Sequence, residues 1–424
     1  MSNFMSATKN SPRAWLICMV AALYFFLNFV QMTKFNAIGH DIMVDFKIDT
    51  AGLGALSSAY FWGNVFFLFP VGLLLDRFST KLLLAIATVV MIITTFIFSF
   101  LHGMGSAFWC FVFTGFAGAF GLLLPLRLIS RWLPDKMALA SGLAITIGFL
   151  GGMASQAPLT WLVNGIGWRH AMQLVALFSV FLLVLFLVVV RDFPDGMTRE
   201  MSQEEATSLA GLWRSIKGAV ANKQNWLFGI YTCLINLPIF ILGAVFGASY
   251  LEQVHHLTEA QAAFANGLLF LGAIFGSPAF GWISDLMKKR KLPMYIGGVL
   301  SLIVMLMIMY LPLNAGGIDV LFFLLGFVTC SQVITYPVIA ESNVPENIAT
   351  GMSMGSTLIL SGGTLLIPLF GVLMSWHWNG EMANGVPLHS VGDYQFAAWM
   401  MPISFVIAMI AIYFGKETKC KRIV

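Results

Sequence analysis

Lys34 stands about twenty residues into an apolar run that opens at Ala14, and an unpaired charge that deep in an apolar segment is costly. Tyr24, Asn28 and Gln31 precede it at i, i+4 and i+7, so on a helix these three share nearly one face. An ammonium at the end of a row of neutral donors and acceptors is suited to holding an anionic group of a solute. The alternative is a helix that ends early, so that Lys34 meets headgroups. Further polar candidates are scattered through other apolar runs. Tyr60 and Asn64 share a face, Gln156 lies beside Pro158, and Gln332 and Tyr336 share another face. Asn236 precedes Pro238, where a kink would free carbonyls for a ligand. Each of these serves equally well as an interhelical hydrogen bond. The chemistry they offer is binding, because nothing around them makes or breaks bonds. There is no HExxH, no GxSxG and no Walker loop GxxxxGK[ST], and Cys18, Cys110, Cys233, Cys330 and Cys420 stand singly. No catalytic residue, metal or cofactor is expected, and the chain reads as a non-enzyme.

The elements that must position these residues follow from composition. Of 424 residues, 59% are hydrophobic and only 10% charged, too few charges to cover a water-facing surface. Apolar runs long enough to cross a bilayer as helices fall near residues 14–37, 51–75, 80–101, 107–131, 137–163, 168–190, 226–250, 261–283, 293–312, 319–340, 350–375 and 395–415. The expected fold is an all-α membrane protein with twelve transmembrane helices in two pseudo-symmetric six-helix bundles. Residues 1–191 and 226–424 form the bundles, and the polar stretch 192–225 is a cytoplasmic linker. Of 23 Lys and Arg, all but Lys34, Lys47 and Arg169 fall on one side if the N-terminus is inside. The positive-inside rule then puts both termini in the cytoplasm.

An internal repeat supports the two halves. Gly72-Leu-Leu-Leu-Asp76-Arg77 returns as Gly281-Trp-Ile-Ser-Asp285, with 281 − 72 = 209 and 285 − 76 = 209. Gly151-Gly152 with Pro158 returns as Gly362-Gly363 with Pro368 (362 − 151 = 211), and Pro134 returns as Pro345 at the same offset. Parallel repeats of this kind belong to transporters that bind their solute near the bilayer midplane.

The sequence G-x-x-x-D-R-x-x-x-K, here Gly72 to Lys81, resembles the signature loop of the major facilitator superfamily, and its weaker copy follows the eighth helix. Within that superfamily the first half is similar to the anion:cation symporter type. Thr33-Lys34-Phe35-Asn36 resembles its D-R-x-N, Trp132-Leu-Pro134-Asp-Lys136 its W-F-P-x-x-E-R, and Gly167-Trp168-Arg169 its G-W-R. Phagosomal nutrient transporters of intracellular bacteria are similar too. The resemblance implies that Lys34 takes the place of a substrate-binding Arg, as a point charge without the guanidinium fork. It implies gating roles for Gly72, Asp76 and Arg77, with Arg127 or Arg131 as the base that meets Asp76, and for Asp285 in the second half. Arg127 and Arg131 near Pro134, and Glu341 and Glu346 near Pro345, carry opposite signs at related positions, so Arg127 is expected to pair with Glu341 when the cytoplasmic side is shut. The pattern departs at Thr33 and Phe120, where the subfamily carries acids, which puts proton symport in doubt. Coupling through Glu341, His40 or His255, exchange and facilitated diffusion stay open.

The expected function is therefore transport of a small polar, anionic or zwitterionic solute such as an organic anion, amino acid or iron chelate, by alternating access. Import is preferred. An exporter of a drug, metabolite or siderophore is one rival, and a non-transporting sensor on the same fold is another. The expected partners are the solute and the lipid bilayer, with no nucleic acid. The chain is expected to work as a monomer in a bacterial inner membrane.

Overall fold

The computed structural model describes residues 11–194, 209–344, 347–383 and 386–422, and the side chains of Gly72, Asp76 and Arg77 lie outside the described residues. The chain is helical almost throughout and is a multi-pass membrane protein. Among the described residues eleven helical stretches are long and apolar enough to cross a bilayer. A twelfth helix, Thr50–Arg77, has 28 residues, about 42 Å at the helical rise. In chain order, spans 1 to 12 are Pro12–Thr33, Thr50–Arg77, Thr80–Phe98, Met104–Trp132, Leu139–Ile166, Trp168–Val189, Lys223–His255, Glu259–Met287, Lys291–Tyr310, Ala315–Glu341, Thr350–His377 and Val391–Phe414. The loop before span 12 holds a two-residue antiparallel hairpin, Met382–Ala383 with Val386–Pro387.

Contacts divide the chain into two compact units. One holds residues 1–34 and 59–206, the other residues 35–58 and 207–424. The first helix does not stop near residue 37. It runs Pro12–Thr33, breaks at Lys34, and resumes as Phe35–Phe46, which packs among helices of the second unit with Phe35, Ile38 and Ile42 buried. The start of span 2 follows it, where Gly54 lies against the backbone of Ile367 and Pro368, and Gly371 against Thr50.

In the first unit Ser11 caps span 1 through the Ala14 N–H, with Pro12 in the first turn. Span 4 (Met104–Trp132) is interrupted between Gly118 and Leu123, just before Pro125. Span 5 (Leu139–Ile166) is interrupted at Ser155 and Gln156, just before Pro158. Proline removes a ladder donor and crowds the preceding turn, so these breaks sit where the sequence puts them. Span 7 (Lys223–His255) breaks likewise, but over a longer stretch. Pro238 is followed by a π-helix, Ile239–Phe246, before α-helix resumes. Span 10 (Ala315–Glu341) tightens to a 3₁₀ segment at Cys330–Ile334.

The repeat reappears in how helices touch. In the first unit a Cβ on Gly63 would stand 2.0 Å from the Val112 carbonyl oxygen, and one on Gly115 1.9 Å from that of Tyr60. In the second unit Gly272 meets Phe323 at 2.0 Å and Gly326 meets Leu269 at 1.8 Å. The offsets are 272 − 63 = 209, 326 − 115 = 211, 323 − 112 = 211 and 269 − 60 = 209. Spans 2 and 4 and spans 8 and 10 therefore use one reciprocal glycine contact, which brings backbone against backbone. Gly148 and Gly151 similarly admit Phe25 and Phe26 of span 1.

At the start of span 12, Ser390 caps the helix in a reciprocal box with Asp393. The Asp393 carboxylate also accepts from His377 Nδ1 at 2.7 Å and faces His389 Nδ1 at 3.7 Å. The other ring nitrogen of His389 is hydrogen-bonded to the Thr50 hydroxyl. Burial lowers the His389 pKa below its ordinary value, although Asp393 and Asp49 pull the other way.

Two outcomes follow. Gly115→Leu and Gly326→Leu each force a side chain into a neighbouring backbone and should lower the melting temperature in detergent by at least ~5 °C. Gly105→Leu, with open space around it, should not. Burial disfavours the charged form of His389 in the folded state, so its contribution to stability is complete above the unfolded pKa of about 6.5 and is lost as pH falls below it. Melting temperature should therefore drop between about pH 7 and pH 5, and less steeply in His389→Gln.

Candidate functional site

The polar row on span 1 is buried in the first unit, and nearly every group in it has a named partner. The Tyr24 hydroxyl donates to the Ala117 carbonyl at 2.6 Å, and Asn28 Nδ2 donates to the Gly118 carbonyl at 2.9 Å. Both carbonyls lie where span 4 is about to break. The Tyr60 hydroxyl donates to Asn28 Oδ1, and Asn64 supplies it a second hydrogen bond. Gln31 Nε2 donates to Thr95 Oγ1 on span 3 at 2.8 Å. The Thr33 hydroxyl meets that of Ser155 at 2.5 Å, and Gln156 Nε2 donates to Ser155 Oγ at 3.0 Å. These bonds tie spans 1 to 5 of the unit together.

Lys34 ends the row at the helix break. It is 1% exposed, so it does not reach headgroups. Its Nζ donates to Gln31 Oε1 at 2.6 Å and lies 4.7 Å from the ring centre of Phe111 and 5.3 Å from that of Phe98. Among the described residues no carboxylate pairs with it. One amide oxygen and two aromatic faces hold an ammonium weakly compared with an ion pair, which leaves it able to take an anion.

The second unit has its own row. Thr232 Oγ1 donates to Gln332 Oε1 at 3.1 Å, and Gln332 Nε2 donates to Asn236 Oδ1 at 2.5 Å. Thr232 and Asn236 repeat Tyr24 and Asn28, with 232 − 24 = 208 and 236 − 28 = 208. Gln332 lies in the 3₁₀ segment and turns to span 7. Tyr336 turns instead to Ser356 on span 11, at 3.3 Å, so these two residues do not act together. The π-helical winding leaves the carbonyls of Leu242 and Gly243 open to side chains. Asn36 Nδ2 donates to them at 2.8 and 2.7 Å, and Asn266 Nδ2 also donates to Leu242 at 3.0 Å. The carbonyls that open after Pro238 are thus those of the π-helical winding, and in the structure asparagines take them.

A charged cluster closes the end of the second unit that carries the C-terminus. Arg290 grips Glu341 with two nitrogens, at 2.6 and 3.3 Å, and gives Nη1 to Asp285 at 2.7 Å. The Thr418 hydroxyl adds a hydrogen bond to Glu341. Burial would raise the Glu417 carboxyl, but the backbone N–H groups of Arg290, Lys419 and Lys291 hold it below the usual range. In this structure Glu341 therefore has its partner, Arg290, within its own unit, whereas the sequence set it against Arg127. Arg290 escapes notice in the sequence because it sits in a run of four bases. The repeat is the signal that finds it, since 290 − 81 = 209 pairs it with Lys81. In the first unit Arg131 donates to Thr80 Oγ1 at 3.1 Å and lies over the Phe193 ring at 4.4 Å. Arg127 is partly buried on the same helix and has partners of its own. Gly72, Asp76 and Arg77 as gating side chains, and Pro345 and Glu346, lie outside the described residues.

The model of the Major Facilitator Superfamily matches residues 20–368. The chain belongs to that superfamily. It is a transporter and not an enzyme. The probable galactarate/D-glucarate transporter GudP of Bacillus subtilis is 24% identical over 348 residues, covering 70% of this chain and 71% of the relative. The 4-hydroxybenzoate transporter PcaK of Pseudomonas aeruginosa is 26% identical over 322 residues, 68% and 70% of the two chains. Among solved structures, a bacterial homologue of the human lysosomal transporter Spinster superposes with a TM-score of 0.75 at 18% identity, over 96% of each chain. A D-xylose-proton symporter gives 0.73 at 14% identity, over 96% of this chain and 99% of the other.

Removing Glu341 leaves the buried Arg290 with the exposed Asp285 as its carboxylate partner among the described residues, so Glu341→Ala should destabilise the protein by about 2 kcal/mol. Arg290→Met with Glu341→Met should recover most of that loss, as read from thermal denaturation.

Proposed function

We propose that this transporter carries a small organic monoanion into a bacterial cell by alternating access, with the anionic group of the solute seated on Lys34. The observation that carries this reading is the buried ammonium of Lys34 with neutral partners alone among the described residues. A buried charge of that kind is uncompensated until an anion arrives. One cation argues for one anionic group: Arg290, the other buried base described, is committed to Asp285 and Glu341. The names of the relatives are consistent with an organic anion. They include transporters of D-galactonate, 4-hydroxybenzoate and sulfoacetate as well as galactarate/D-glucarate. Placement of the Lys and Arg residues supports cytoplasmic termini in an inner membrane, and a single chain suffices for the site.

The test is uptake and counterflow in proteoliposomes with D-galactonate, 4-hydroxybenzoate, sulfoacetate and galactarate. Lys34→Ala should weaken the half-saturating concentration of the transported anion by about 100-fold or more, Lys34→Arg should retain part of the activity, and monoanions should compete better than galactarate. Unchanged uptake in Lys34→Ala would refute the assignment. Binding without counterflow would instead mark a sensor.

A further inference from the structure

Asn36 makes three hydrogen bonds across more than two hundred residues of sequence. Its Nδ2 donates to Leu242 and Gly243, and its Oδ1 accepts the Ala248 N–H at 3.1 Å. Leu242 and Gly243 lie within the π-helical stretch of span 7, and Ala248 lies just beyond it. We infer that Asn36 is a latch of the transport cycle, a positioning residue whose carboxamide holds the helix Phe35–Phe46 against span 7 and must let go for that end of the unit to open.

Several features separate a latch from a permanent strut. The bonds are neutral, each worth about 1 kcal/mol net, so breaking them needs no separation of charge. One of the three partners on span 7, Leu242 O, has other hydrogen bonds. It also accepts from Gly247 N–H and from Asn266, so it keeps partners when Asn36 leaves. The latch also sits two residues beyond Lys34, and the division between the compact units falls between Lys34 and Phe35, where the helix is interrupted. A solute that draws Lys34 Nζ from Gln31 Oε1 alters the last turn before the helix that carries Asn36. This coupling to solute rests on the reading of Lys34 given above. The latch itself does not.

The test needs no solute and no membrane orientation. Ala248 is 6% exposed. In detergent-purified full-length protein, Ala248→Cys should react slowly with a charged methanethiosulfonate, followed at that position by peptide mass spectrometry. Adding Asn36→Ala should raise the rate about tenfold or more, the shift that lost hydrogen bonds of this strength give an equilibrium. Asn36→Asp sets a carboxylate against two carbonyl oxygens. It should raise the rate at pH 8 and return it towards the Asn36 background at pH 5, where a protonated carboxyl can donate again, each rate being compared with that background at the same pH. A purely structural loss would show no such reversal. Ala397→Cys, fully buried in span 12, should stay unreactive in every background. A rate at position 248 that Asn36→Ala leaves unchanged overturns the latch. So does a rise at both positions, which would report loss of the fold.

Discussion

Lipid offers no hydrogen bonds, so each place where a spanning helix loses its regular ladder has to be repaired from within the protein. This chain breaks spans 1, 4, 5, 7 and 10, and several of its buried polar side chains are found at those breaks. Tyr24 and Asn28 reach the end of the first segment of span 4, Asn36 and Asn266 reach the π-helical carbonyls, and Gln332 projects from the 3₁₀ segment towards Thr232 and Asn236. The amide-rich interior is therefore foremost a consequence of broken helices. Solute binding is superimposed on that framework, and Lys34 stands out because no broken ladder requires a charge.

The charged groups are sorted differently. Arg290, Glu341, Asp285 and Glu417 gather where water is near, and their carboxylates and guanidinium satisfy one another. Of the buried bases among the described residues, Lys34 is the one enclosed with neutral groups. Neutral amides at one end of the second unit and an ion network at the other hold their helices with bonds of different strength and different sensitivity to salt.

The twelve spans could be read directly, because runs of about twenty apolar residues have one physical use. Lys34 could be read as well, since a lysine in such a run is rare enough to be conspicuous. The asparagine and glutamine candidates were legible as polar positions but not as pairs, because hydrogen-bond partners 32 to 100 residues away leave no local trace. Pro238 announces a break without saying how wide the following turns will be. Arg290 was hidden in a basic run that resembles any solvated helix end. The assignment of residues 35–58 to the second unit was hidden because no change of composition marks Lys34–Phe35. The glycine contacts are the opposite case. The positions 63, 115, 272 and 326 obey the same offsets as the signature loop, yet among 40 glycines they gain meaning only once the backbones are seen to touch.

Those contacts also decide where the molecule can bend. Spans 2 and 4 are locked carbonyl against Cα at two points, as are spans 8 and 10, and neither member of a couple can slide without dragging its mate. Each couple behaves as one doubled beam. The interrupted rods beside it, among them the first, broken at Lys34, and the seventh, π-helical around Leu242, lack that reinforcement. Stiffness and compliance are thus distributed by the same duplicated plan, one pair of beams and one set of jointed rods in each half.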